Sequence, residues 1–222
     1  STRLPGKMLL PLGDLLIIDW IITRLLKVDN FHSLFLATTC SEKDKILINH
    51  AKKHNIDYYA GDEHNVFSRF KAISEYANPD AIVRICGDNP FIAPEVVNDL
   101  IDHFLKSHCE YSCNHQDRLG SGYADGFGAE IFRIEILDKI LKSELNENHL
   151  EHVTSFIWEN QKDFKISLPK APKKLRYPNL KFDLDTAEDY KFLINIVDKG
   201  VNISHSAEEI IKKHNSFNNS SL

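Results

Sequence analysis

The sequence predicts a three-layer α/β/α protein built on a mainly parallel sheet, and three observations carry that reading. From residue 34 to residue 104, apolar segments of strand length alternate with amphipathic segments of helix length. Right-handed crossovers turn that order into a parallel sheet with helices on both faces. The run Ala81-Ile82-Val83-Arg84-Ile85-Cys86 is short, apolar and closed by Gly87-Asp88-Asn89-Pro90, as an inner strand ending in a turn would be. A chain of 222 residues, 42% hydrophobic and 27% charged, is long enough for one α/β domain with a substantial core.

Composition narrows the function classes. The formal net charge is −5, from 27 Lys+Arg against 32 Asp+Glu. That balance gives no general basic face for nucleic acid, although a local cationic pocket remains open. No apolar run approaches the roughly 18 residues that span a bilayer, and no signal peptide is visible. Cys40, Cys86, Cys109 and Cys113 follow no metal-ligand spacing and read as reduced thiols. The expected setting is cytoplasmic, with neither nucleic acid nor membrane as partner.

The elements follow in order. Leu15 to Leu26 carries a helical apolar stripe, with Asp14 placed to cap it. Residues 34–39 read as a strand, 41–54 as a helix, 56–60 as a strand and 65–76 as a helix bearing Arg69. The strand 81–86 follows, and Pro94-Glu95 opens a helix with Val96, Val97, Leu100, Ile101 and Phe104 on its apolar side. Past Phe104 the rhythm breaks. Strands are expected at 110–114, 129–132, 164–168 and 180–185, and helices at 134–145, from His149 to Glu159, from Thr186 to about Val197, and from His205. The first part of this rhythm lacks a strand, which would lie ahead of Ser1. The natural product is therefore expected to carry about a dozen further residues upstream, one strand of roughly 5–6 residues plus flanks.

Two places suggest chemistry. Asp88 falls just past the carboxyl end of a strand and before a helix, the edge of an open α/β sheet where ligands bind. It could hold a metal or a sugar hydroxyl, or be a turn residue only. Asp183-Leu184-Asp185 puts two carboxylates on one side of a strand, although Asp185 could instead cap the helix that follows. The opening Ser1-Thr2-Arg3-Leu4-Pro5-Gly6-Lys7 offers two cations four apart around a Pro-Gly turn, a cradle for polyphosphate or a plain basic terminus. It is not a P-loop, lacking the glycine spacing and the Lys-Ser/Thr ending. Taken together, acids at strand ends facing a cationic cradle are what a magnesium–nucleotide site needs, because Mg²⁺ takes one or two carboxylates plus phosphate oxygens and water. His149 and His152 are too few for a zinc site and read as helix-start residues or substrate contacts.

These segments resemble the cytidylyltransferases that activate sugars, in particular the Kdo and acylneuraminate enzymes and the SpsF-like spore-coat polysaccharide proteins. The resemblance rests on Ser1 to Lys7, Gly61 to Phe70, Val83 to Pro90, Tyr123 to Gly126, Ala129 to Phe132, Glu151-His152-Val153-Thr154 and Asp183 to Asp189, in order along nearly the whole chain. It implies a Rossmann-like nucleotidyltransferase (GT-A-like) fold with its first strand ahead of Ser1, in a single domain, 1–222, whose residues 110–178 form an acceptor-side substructure. It implies Mg²⁺-dependent transfer of CMP from CTP to a sugar acid or related acceptor, with release of pyrophosphate. By position, Ser1, Arg3, Lys7, Arg69 and Arg84 would serve the nucleotide, with Arg3, Lys7 and Asp88 catalytic. Asp88 and Asp185 would bind the metal with Asp183 nearby, and Asp125, Glu130, Glu151 and His152 would face the acceptor. Leu150 and Gly128 depart from the family pattern. A homodimer is the expectation by analogy. Two alternatives remain: a glycosyltransferase using Asp183-Leu184-Asp185 as a metal–diphosphate motif, and a catalytically silent nucleotide-sugar binding module.

Overall fold

The computed structural model describes residues 3–115 and 119–219. After a single 3₁₀ turn at Lys7–Leu9, a small hairpin of β1 (Pro11–Leu12) and β2 (Leu15–Leu16) leads into α1 (Ile17–Leu25). The expectation that Asp14 caps a helix from Leu15 is therefore corrected. Asp14 lies in the hairpin turn, and Leu16 occupies the cap position without a side-chain bond. Trp20 Nε1 donates to the Leu12 carbonyl at 2.7 Å, so the buried indole both fills the core and ties the hairpin to the helix.

The remaining elements are β3 (Phe35–Thr39), α2 (Lys45–Lys53), β4 (Asp57–Gly61), α3 (Val66–Ala77), β5 (Ala81–Arg84), α4 (Pro94–Ser107), β6 (Tyr111–Cys113), β7 (Glu130–Arg133), α5 (Glu135–Leu141), α6 (Glu147–Glu151), α7 (Ser155–Glu159), α8 (Ala187–Asp198) and α9 (Ala207–Asn219). Their ends follow from local chemistry. Asn65 caps α3 by accepting from the Ser68 amide, and Asn78, at φ 46°, ends it in the left-handed conformation that Asn tolerates. Pro94 opens α4, whose Val96, Val97, Leu100, Ile101 and Phe104 are all buried, as the 3.6-residue period predicts. The long helix expected from His149 to Glu159 is split into α6 and α7.

The sheet departs from the expectation of adjacent parallel strands at 34–39, 81–86 and 180–185. β3 pairs with β4 in parallel, Phe35 opposite Asp57 through Thr39 opposite Gly61. β5, by contrast, pairs with β7 in antiparallel register, and β7 with β6. Segment 180–185 makes only a parallel bridge, Lys181 to Asp125, and 164–168 only one, Ile166 to Tyr111. The physical reason is a change of partner within a few residues. The Phe182 amide bonds the Asp125 carbonyl, and the Leu184 amide already bonds the Asp88 carbonyl. Neither pairing runs long enough to become a ladder.

β7 lies between two cores. Ile131 packs with Val96, Val97 and Leu100 of α4. Its neighbour Phe132 packs on the opposite face with Ile136, Ile140, Val153 and Ile157. That alternation gives the helix–sheet–helix layering. β3 and β5 share no ladder among the described residues. A cleft of about 2030 Å³ runs between them, lined from both strands and reaching Arg3, Lys7, Asp88, Asp125 and Asp185. No helix among the described residues is long and apolar enough to cross a membrane.

Candidate active site

At the mouth of the cleft the opening loop meets the Asp88 turn and the segment of Leu184 and Asp185. Gly6, at φ 70°, turns the chain into the 3₁₀ turn that carries Lys7. Lys7 Nζ donates to the Leu184 carbonyl at 2.7 Å and lies 3.3 Å from both Asp88 Oδ2 and Asp185 Oδ1. Arg3 Nη2 reaches Asp185 Oδ2 at 2.9 Å. The Asp88 turn is fastened to this segment by the Leu184 amide, which donates to the Asp88 carbonyl at 2.7 Å. It is also pressed against the opening turn: a Cβ on Gly87 would stand 3.0 Å from Met8 Sδ. A larger residue at 87 would make the Met8 side chain give way by a few tenths of an ångström.

The question of whether Asp185 is only a helix cap is resolved by its neighbours. Thr186 caps α8 by accepting from the Asp189 amide, and the Asp189 carboxylate accepts from the Asp185 and Thr186 amides. Asp185 is therefore spared for the cleft. The Asp88 carboxylate likewise faces an ammonium, that of Lys7.

Asp183 also lines the cleft, as the two-residue spacing predicts, but it pairs with Lys181, at 3.3 Å, and its Oδ1 is buried without a hydrogen bond. Asp125 stands beside it. Burial, then the charge of Asp183, pushes the Asp125 carboxyl up to about 7. Gly126 fixes Asp125 there: at φ 101°, it brings the backbone so close that a Cβ would lie 2.8 Å from the Phe182 carbonyl carbon. Sequence reasoning missed Lys181. Its signal was its position two residues before Asp183, on the same side of the segment.

The donor set suits magnesium. Two carboxylates converge on the ammonium of Lys7, which stands where a small cation would be shared. Among the described residues no group of three or more His, Cys, Asp or Glu side chains is arranged to hold a metal unaided. Mg²⁺ held by two acids, phosphate oxygens and water needs no such group.

The other expected residues divide. Arg69 is buried and lines the cleft, its Nε without a hydrogen bond and its Nη1 3.4 Å from the Ala37 carbonyl. Glu151 and His152 are exposed at the cleft margin. Ser1 lies outside the described residues. The expectation that Glu130 faces the acceptor is corrected: it is fully buried and absent from the cleft wall. There its carboxylate accepts from Arg84 Nη1, from Tyr111 Oη at 2.5 Å and from Thr154 Oγ1 at 3.1 Å. Burial opposes its ionisation, but Arg84, His115, Tyr111 and Thr154 together hold it below the usual carboxylate range. His149 is a helix-start residue, closing a capping box with Asn146 and pairing with Glu159 at 2.7 Å.

Comparisons agree with this geometry. A cytidylyltransferase family model matches residues 1–216. The chain is 31% identical over 217 residues to the spore coat polysaccharide biosynthesis protein SpsF of Bacillus subtilis, covering 95% of this chain and 88% of that protein. It superimposes on a cytidylyltransferase from Leptospira borgpetersenii with a TM-score of 0.88 and 27% identity, over 100% of this chain and 91% of that one. The structure of a CMP:2-keto-3-deoxy-manno-octonic acid synthetase complexed with CTP gives a TM-score of 0.62 at 14% identity, covering 90% and 95% of the respective chains. That likeness shows the shared Rossmann-like nucleotidyltransferase fold.

Proposed function

Since this chain belongs to the cytidylyltransferase family, we propose that it transfers CMP from CTP to a sugar acid or related acceptor in the making of a surface polysaccharide. One observation carries the reading: Lys7 is bracketed by Asp88 and Asp185, with Arg3 on the same acid, at the edge of a deep cleft. CTP is the named ligand of one structural neighbour, and polysaccharide biosynthesis is the named role of SpsF.

In this reading the CTP triphosphate enters at the cleft mouth. Arg3 and Lys7 exchange their carboxylate partners for phosphate oxygens, and Asp88 and Asp185 are the residues that would hold Mg²⁺. The ion, when bound, supplies positive charge to the phosphoryl oxygens and orients them. An acceptor hydroxyl, carried on the Asp125 side, attacks the α-phosphorus in line. The new O–P bond forms as the bond from the α-phosphorus to the bridging oxygen of the β-phosphate breaks, and the hydroxyl proton passes from the acceptor oxygen to solvent water. Pyrophosphate departs with its charge matched by Arg3 and Lys7.

Pyrophosphate release, measured with each nucleoside triphosphate across a panel of sugar acids with and without Mg²⁺, tests this. Release dependent on CTP, on an acidic sugar and on Mg²⁺ is expected. Equal turnover with all four triphosphates, or none with CTP, would remove the reading.

A further inference from the structure

Lys7 is held more firmly than a residue that only waits for phosphate. An ammonium carries three N–H groups, and Lys7 Nζ has an acceptor for each. These are the Leu184 carbonyl at 2.7 Å, Asp88 Oδ2 at 3.3 Å and Asp185 Oδ1 at 3.3 Å. Its side chain is 14% exposed, against 67% for Arg3. The backbone beneath it is fixed as well. The Leu9 amide donates to the Gly6 carbonyl at 2.9 Å, and Leu4, Met8 and Leu10 pack against the core. Only the four-carbon stem is left to move, and it carries the ammonium as a compact point charge. The charges of the cluster also cancel. Asp88 and Asp185 bring two negative charges, and Lys7 and Arg3 bring two positive ones. Mg²⁺ sheds water reluctantly and is drawn to carboxylate charge, so a neutral cluster attracts it poorly.

We propose that Lys7 is an internal cation lock on Asp88 and Asp185. It competes with a divalent ion for the two acids, and yields them when a triphosphate takes its ammonium. Metal and nucleotide then bind interdependently rather than at independent sites. This rests on the nucleotidyl-transfer reading above for the identity of the two ligands. The coupling follows from linkage. An ion that needs the acids must displace Lys7, and a triphosphate that takes Lys7 leaves the acids uncovered. Each ligand therefore raises the affinity of the other by the same factor. A lysine that served phosphate alone would leave metal binding without nucleotide unchanged.

The test is Mn²⁺ alone, without nucleotide, titrated into the full chain and followed by the electron paramagnetic resonance signal of the unbound ion. The unaltered chain should bind weakly. Lys7→Met keeps the stem and removes the charge, and should bind about tenfold or more tighter, within the usual range of coupling between sites. Lys7→Gln is a second variant that should behave alike, and melting temperatures show that each is folded. Two further variants separate a lock from a general change of charge. Arg3→Met removes a charge from the same acid at an exposed position, where screening is strong, and should gain less than about threefold. Adding Asp88→Asn to Lys7→Met should abolish the gain. Mn²⁺ affinity in Lys7→Met within about threefold of the unaltered chain, binding by neither included, overturns the proposal. So does an equal gain in Arg3→Met, or a gain that survives Asp88→Asn. The nucleotidyl-transfer reading stands or falls separately, on CTP-dependent pyrophosphate release by the unaltered chain.

Discussion

The cleft holds two ionic clusters built on opposite principles. At the mouth, Arg3, Lys7, Asp88 and Asp185 make contacts of 2.9 to 3.3 Å, and Arg3 keeps 67% of its side chain exposed. Arg84, which lines the cleft, and Glu130, which does not, are 15% and 1% exposed, and the carboxylate of Glu130 accepts from three donors. The exposed Arg3 pair contributes little to stability and exchanges partners readily, whereas the Lys7 side chain is only 14% exposed. A buried pair of the second kind is hard to break, because removing one member leaves the other charged without water. The Arg3 pair is thus free to change partners, and the buried pair is made to stay as it is.

The largest expected effect lies in the buried pair. Glu130→Ala should lower stability by about 3–5 kcal/mol, the range for an orphaned buried charge, read as a large drop in the urea midpoint. A loss below about 1 kcal/mol would erase the contrast between the clusters. At the mouth, Asp88→Asn should reduce CTP-dependent pyrophosphate release by roughly 100- to 1000-fold, with a melting temperature within about 2 °C of the parent, since size is kept and the site is open. Turnover surviving at limiting Mg²⁺ would return Asp88 to the status of a turn residue.

Asp125 lies between the two regimes and should show it through pH. Its carboxyl is pushed up to about 7 in the fold, against about 4 in an unfolded chain. The folded state then binds the proton more tightly, so this group's contribution is best below about pH 4, falls as pH rises, and levels off above about 7. In Mg²⁺-free buffer, Asp125→Asn should be nearly neutral at pH 4 and stabilising by roughly 1–2 kcal/mol at pH 8, after discounting for solvent screening. Parallel stability curves for the two proteins would count against the burial of Asp125. The smallest effect is expected for Arg3→Ala, with under about 1 kcal/mol lost in stability. Its apparent CTP affinity should nonetheless fall several-fold at low salt and less at high salt.

The same division explains what the sequence made legible. α4 could be read from Val96, Val97, Leu100, Ile101 and Phe104 because a helix buries one stripe whatever surrounds it. The mouth cluster was legible because functional charges sit in turns with few other reasons to be there: Lys7 after Pro5-Gly6, Asp88 after Gly87. Segment 180–185 was not legible as a bridge, since its apolar alternation is that of a strand and only tertiary context divides it between Asp125 and Asp88. Asp14 looked like a cap because the hairpin before α1 is only two residues a side, below what periodicity resolves. Glu130 looked like a substrate contact because an acid in a motif carries no mark of burial. Its donors Arg84, Tyr111 and Thr154 come from three separate stretches of chain.

The pair of Arg3 with Asp185 joins residues 182 positions apart. During synthesis, at roughly 5–20 residues per second, the amino-terminal loop would leave the ribosome some ten to forty seconds before its counter-ion exists. Over that interval Lys7 gains Asp88, 81 positions on, but neither cation has Asp185. β3, α2 and β4, joined by near-neighbour contacts, can form in the meantime. The cluster of Arg3, Lys7, Asp88 and Asp185 can only be completed once the chain has been made as far as Asp185. A product that stops short of Asp185 would keep the Lys7–Asp88 pair at most and lack the rest of this closure.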